Sequence, residues 1–156
     1  MRELEATDGA GPRLLPLPRR CSAAGAPNGQ QANGPATIPE GVYVTSTTRT
    51  DYQSRGEYSS DWSAPVYHWT MRLHDGKWVR LVRPKFRGQI GDVDGAGTYE
   101  SHGDQVTFHY TYPEAGLPPE TFRWSYYKGR LTFEAVDVID RGSRIIHTAH
   151  PWRKIR

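Results

Sequence analysis

Phe122-Arg123-Trp124-Ser125-Tyr126-Tyr127-Lys128-Gly129-Arg130-Leu131-Thr132-Phe133-Glu134-Ala135 is the stretch that decides the fold. Phe122, Trp124 and Tyr126 alternate with Arg123, Ser125 and Tyr127, the two-residue period of a strand with one buried face. Lys128-Gly129 is a two-residue turn. It sets Tyr126 opposite Leu131, Trp124 opposite Phe133 and Phe122 opposite Ala135, so every ring among these six shares one face. A slip by one residue would turn them all outward, which makes this register well determined. The same face continues to Asp137 and Ile139.

Upstream, residues 66–74 alternate in the same way, with Tyr67, Trp69, Met71 and Leu73 on one side and His68, Thr70, Arg72 and His74 on the other. Asp75-Gly76 turns this strand into residues 77–83. A two-residue turn would set Leu73 opposite Trp78 and carry Arg80 onto the apolar face. A three-residue turn with Gly76 as a bulge glycine sets Leu73 opposite Lys77 and leaves Arg80 in solvent. The second buries no charge and is the register expected. Residues 84–95 read as a Gly- and Asp-containing loop, 97–101 as a short strand, and 104–112 as a strand with Val106, Phe108, Tyr110 and Tyr112 on one face. The Pro-rich segment 113–120 leads into the deciding hairpin.

At the start, 42–49 is β-branched and strand-like, Thr50 offers a helix cap, and Asp51 to Arg55 makes about one helical turn closed by Gly56. At the end, Arg141-Gly142 turns the chain into a last strand over 143–150, closed by Pro151-Trp152. The expected strands are therefore 42–49, 66–74, 77–83, 97–101, 104–112, 121–128, 130–139 and 143–150. Joins of hairpin size make them an all-β antiparallel meander. Eight strands with one ring-rich face close into an up-and-down barrel, which removes the exposed edges. An open sandwich would need larger apolar residues in the loops than are found there.

Composition agrees. Only 36% of the 156 residues are hydrophobic, but 9 Tyr and 5 Trp supply a core of rings, and 16 Gly with 12 Pro favour many short elements. No run approaches the roughly 18 apolar residues of a membrane helix, so no membrane partner is expected. The formal charge is +3, with basic residues spread singly along strand-like segments. That spacing suits solvated sheet faces better than a nucleic-acid surface. Residues 1–36 carry Gly and Pro without period and read as an irregular tail, a separate region from the barrel domain at 37–156. Leu14, Leu15 and Leu17 could fold back over the barrel as a lid. The single cysteine, Cys21, cannot form an internal disulfide. Arg19 and Arg20 precede it where a lipid anchor needs small residues, and the leucines are too few and too proline-broken for a signal-peptide core. A cytoplasmic rather than secreted location is expected.

Gly41-x-Tyr43, Trp69-Thr70-x-x-Leu73-x-Asp75-Gly76-x-Trp78, Gly97-Thr98-Tyr99-Glu100, Gly103-Asp104-x-Val106-x-Phe108, Arg123-Trp124-Ser125, Leu131-Thr132-Phe133 and Pro151-Trp152 together resemble the lipocalin-like (calycin) module of actinobacteria. That module is found at the C-terminus of extracellular solute-binding proteins. The resemblance covers roughly 40–156 and implies a β-barrel, with the tail corresponding to an interdomain linker. It rests on turn and core residues and speaks to fold more than to activity. By architecture alone, the chain is also similar to free-standing barrels that act as cofactor-free cyclases on natural-product intermediates.

For chemistry, no metal pattern emerges: His147 and His150, three apart on a strand, point to opposite faces. No phosphate loop or serine elbow is present, and no cofactor is expected. On the expected last strand, a three-residue turn places Asp137 opposite Ile145 and His147 diagonally within reach. The candidate catalytic groups are then Asp137, His147 and Tyr110. The candidate ligand-binding groups are Tyr67, Trp69, Met71, Phe108, Trp124, Tyr126 and Phe133. The expected function is binding of an apolar or amphipathic small molecule inside the barrel by a monomer or homodimer. The alternative is a cyclase or isomerase of the same shape acting on a polyketide-like intermediate. A third reading uses the Tyr- and Arg-rich outer face for protein interaction.

Overall fold

Two turns fix the two hairpins that carry most of the rings. Lys128 and Gly129 adopt φ of 46° and 76°, and Asp75 and Gly76 adopt 49° and 66°. Positive φ at both central positions is the two-residue turn whose twist matches that of the flanking strands. The computed structural model describes residues 37–57, 64–86, 89 and 91–156. The tail at 1–36, with Cys21 and the candidate lid leucines, lies outside the described residues.

The described elements are β1 (Gly41–Thr48), α1 (Arg49–Gln53), β2 (Val66–His74), β3 (Lys77–Arg83), β4 (Val93–His102), β5 (Gln105–Tyr112), β6 (Glu120–Tyr127), β7 (Arg130–Asp137), α2 (Arg141–Thr148) and β8 (Trp152–Lys154). The eight strands form a closed barrel in chain order, each antiparallel to its neighbours. The open sandwich is excluded. The β6–β7 register is the one read from the sequence: Tyr126↔Leu131, Trp124↔Phe133 and Phe122↔Ala135.

Three expectations are corrected. First, the β2–β3 turn is the two-residue form, with Leu73 opposite Trp78, and Arg80 is 4% exposed inside the barrel. Its charge is met by Asp94, in a segment expected to be loop but folded as the start of β4. Second, the segment 143–150 is not a strand. Asp140 caps α2 by accepting a hydrogen bond from the Ser143 backbone N–H, and Ser143, Ile145, Ile146 and His147 are the buried residues of the helix. The eighth strand is instead the short β8. It joins β1 through Tyr43↔Lys154 and Val44↔Arg153, and β7 through Arg130↔Arg153 and Leu131↔Trp152. Third, the β6–β7 register shifts between Thr121 and Phe122, so Asp137 pairs with Thr121 and is exposed, and Ile139 is 72% exposed. Neither continues the apolar face.

Smaller differences have local causes. The cap of α1 is Thr48 rather than Thr50: its hydroxyl accepts from the Asp51 N–H, and Asp51 Oδ2 accepts from the Thr48 N–H at 2.7 Å, a capping box. β4 is longer than expected and shifts register beside Gly97. A Cβ at Gly97 would collide with the His109 carbonyl, so the close approach of β4 to β5 there requires glycine.

The barrel is filled, not hollow, around α2. The His147 ring stacks on Phe108 at 5.5 Å and lies 4.5 Å from Phe122 and 5.4 Å from Phe133, centroid to centroid. Trp152 is fully buried and donates its indole N–H to the His147 carbonyl at 3.2 Å. Burying rings of this size stabilises the fold by about 1.5–3 kcal/mol each.

Candidate functional site

Where α2 enters the barrel, its first residues meet β3, β5 and β6, and the meeting is polar. Inward-facing positions on those strands bring Arg80, Tyr110 and Glu120 to the same depth. Ser143 from α2 joins them. The Ser143 hydroxyl donates to Glu120 Oε2 at 2.6 Å and accepts from Arg80 Nη1 at 3.2 Å. The Tyr110 hydroxyl donates to the same Glu120 oxygen at 2.7 Å. Arg80 is held by Asp94, with Nε at 2.7 Å and Nη2 at 2.6 Å from Oδ2, and its guanidinium lies 5.7 Å and 5.9 Å from the Trp69 and Trp78 ring centres.

Burial sets the protonation states. It raises the Glu120 carboxyl above the ordinary 4.5, although Ser143, Tyr110 and Arg80 hold it down in part. It pushes the Tyr110 phenol up to about 12, so Tyr110 is a donor at neutral pH. For Arg80, burial favours loss of the proton, but Asp94, Tyr110 and Glu120 together outweigh it and the guanidinium stays charged. His147 is driven well below 6.5 by burial and by the neighbouring Arg80. Its Nδ1 lies 2.9 Å from the Ser143 carbonyl, which can only accept, so the neutral ring carries its proton there. Nε2 is then a buried lone pair without a partner, as the Trp124 indole N–H is a buried donor without one.

Above this floor opens a pocket of about 630 Å³. Arg80, Asp94, Tyr110, Glu120 and Ser143 line it on the barrel side, Pro113, Leu117 and Pro118 on the β5–β6 loop, and Ile139 to Gly142 on the approach to α2; Glu57 also borders it. Leu117 and Ile139 are 37% and 72% exposed, an apolar rim around a polar base.

Among the sequence-predicted site residues, Tyr110 lines this pocket. Tyr67, Trp69, Met71, Phe108, Trp124 and Phe133 are buried core, and Tyr126 is half-buried against it. The Trp69 indole N–H is already taken by the Thr47 hydroxyl at 2.8 Å. His147 is inside the barrel, as expected, but on a helix, while Asp137 is exposed on β7. The expected Asp137–His147 pair is not assembled, because the strand that would have carried it is α2. Sequence reasoning missed Arg80, Glu120, Ser143 and Asp94. The signal for Glu120 was available: it lies two residues before Phe122 on the ring-bearing face. Among the described residues, no group of three or more His, Cys, Asp or Glu side chains could hold a metal ion, and no helix is long and apolar enough to cross a membrane.

No protein-family model, curated protein or solved structure matches this chain.

Proposed function

We propose that this chain is a lipocalin-like barrel that binds a small amphipathic molecule at its mouth rather than along its axis. The observation that carries the reading is the pocket of about 630 Å³, which has a buried, hydrogen-bonded polar floor beneath an apolar rim. Small-molecule sites have this volume and this make-up: mostly apolar walls, with a few convergent polar groups that fix orientation. Leu117, Ile139 and the prolines 113 and 118 supply contact area, and Tyr110, Glu120, Ser143 and Arg80 supply orientation. Two of the candidate catalytic groups, Asp137 and His147, do not come together, which leaves binding as the better supported reading.

Displacement of the dye 1-anilinonaphthalene-8-sulfonate by a panel of small amphiphiles tests it. Specific, stoichiometric displacement that Leu117→Arg abolishes, with the fold kept by circular dichroism, is the expected result. Binding that Leu117→Arg leaves unchanged would place the ligand elsewhere and refute the assignment.

A further inference from the structure

The charges that line the pocket do not balance. Four carboxylates border it, those of Glu57, Asp94, Glu120 and Asp140, against the two guanidinium groups of Arg80 and Arg141. Both cations are engaged. Arg80 is held by Asp94 at 2.6 Å, and Arg141 pairs with Glu57 at 2.9 Å. Glu120 and Asp140 remain without a cation of their own, in a chain whose formal charge is +3. They also repel one another, since the Asp140 charge adds to what burial does to Glu120.

The hydrogen bonds are equally one-sided. Glu120 is 4% exposed, and both of its donors, Tyr110 and Ser143, fall on Oε2. Oε1 receives no hydrogen bond from a described residue, yet it is not sealed off as Trp124 Nε1 and His147 Nε2 are. It is an acceptor that opens on the pocket. The donors on the pocket floor are directed at the protein's own acceptors. Arg80 directs Nε and Nη2 at Asp94 and Nη1 at Ser143, and the Ser143 backbone N–H serves the Asp140 cap. A buried carboxylate is stable only when paired or hydrogen-bonded, and this one has an unmet oxygen facing the cavity.

We propose that the ligand is an amphipathic amine, whose ammonium donates to Glu120 Oε1 in the field of Glu120 and Asp140 and whose apolar body lies against Leu117, Pro118 and Ile139. This inference rests on the binding reading of the same pocket and adds the sign of the ligand's charge. An ammonium fits because it brings donors and no acceptor to a surface rich in acceptors. A carboxylate there would meet Glu120 with like charge.

The test uses three probes of one shape, 4-phenylbutylamine, 4-phenylbutan-1-ol and 4-phenylbutyrate, titrated calorimetrically into the full chain at neutral pH. The amine is expected to bind about tenfold tighter than the alcohol, and the carboxylate most weakly. Glu120→Gln should bring the amine down to the alcohol's affinity and change the alcohol's far less. Should that variant fail to fold, acidifying the wild type serves instead: protonating Glu120 should weaken the amine, which stays charged, and spare the alcohol. Equal affinity for amine and alcohol, or preference for the carboxylate, overturns the charge assignment while leaving the pocket intact. Failure of all three probes to bind overturns the binding reading itself, and this inference with it.

Discussion

The two halves of α2 face different surroundings. Ile145, Ile146 and His147 enter a packed interior of Phe108, Phe122, Phe133 and Trp152, where the polar atoms are few and two of them go unpartnered. One turn earlier, Ser143 meets Arg80, Tyr110 and Glu120, and the residues before it border open space. The helix is thus a stopper whose inner end replaces a ligand in the barrel and whose outer end builds a wall of the pocket. In a barrel of eight strands the lumen is just wide enough for side chains. Here the chain's own helix takes that room, and space for another molecule is left where α2 begins.

If the interior is packed and the mouth is not, substitutions in the two regions should differ in kind. The largest expected effect is in the interior. Phe122→Ala removes a ring that touches Phe108, Phe133 and His147, and should cost about 3–5 kcal/mol in urea unfolding. A loss below about 1 kcal/mol would mean that the interior is loose. At the boundary, Arg80→Met leaves Asp94 without its cation and should cost about 3 kcal/mol. Adding Asp94→Asn should recover much of that loss; a double variant no more stable than the single one would show that the pair is not the reason Arg80 is tolerated inside.

Acid separates the regions in the opposite sense. His147 stays neutral when the unfolded chain would take a proton, so its contribution to stability is lost as pH falls below 6.5. His147→Phe should flatten that part of the pH–stability profile. Glu120 works the other way: its raised folded-state value makes its contribution greatest below 4.5 and lost as pH rises through the raised value. Glu120→Gln should remove this loss, seen as a smaller drop in midpoint between acid and neutral pH. The smallest effect on stability belongs to the rim. Ile139→Ser, at a residue 72% exposed, should change stability by no more than about 0.5 kcal/mol yet weaken amphiphile binding severalfold.

The contrast also explains what the sequence shows and what it hides. The β6–β7 hairpin is legible because its register rests on local facts: a Lys-Gly turn and rings two residues apart. The β2–β3 turn is misread because burying Arg80 looks unfavourable until Asp94, fourteen residues on, is known to lie beside it. Alternation within one strand carries no news of a counter-ion on the next. The stretch from Arg141 to Thr148 is misread because Ser143, Ile145 and His147 fit a two-residue period as well as a helical face. Asp140 as a cap and Ile146, buried beside Ile145, were the signs of a helix. With α2 taken as a strand, Asp137 and His147 seemed to converge, and the site was placed in the lumen. The fold survives that error because Trp152 to Lys154 supply the eighth strand after the helix. The site does not, since its residues come from four strands and a helix that only the tertiary structure brings together.

The central claim is that ligand space lies at the mouth and not in the lumen. Methyl NMR during titration with 4-phenylbutylamine tests it most directly, because Leu117 and Ile139 report on the rim while Met71 and Leu131, both fully buried, report on the interior. The account predicts that the Leu117 and Ile139 methyl signals move with saturation and that those of Met71 and Leu131 stay in place. Movement of the Met71 and Leu131 signals while those at the rim stand still would put the ligand inside the barrel and contradict it.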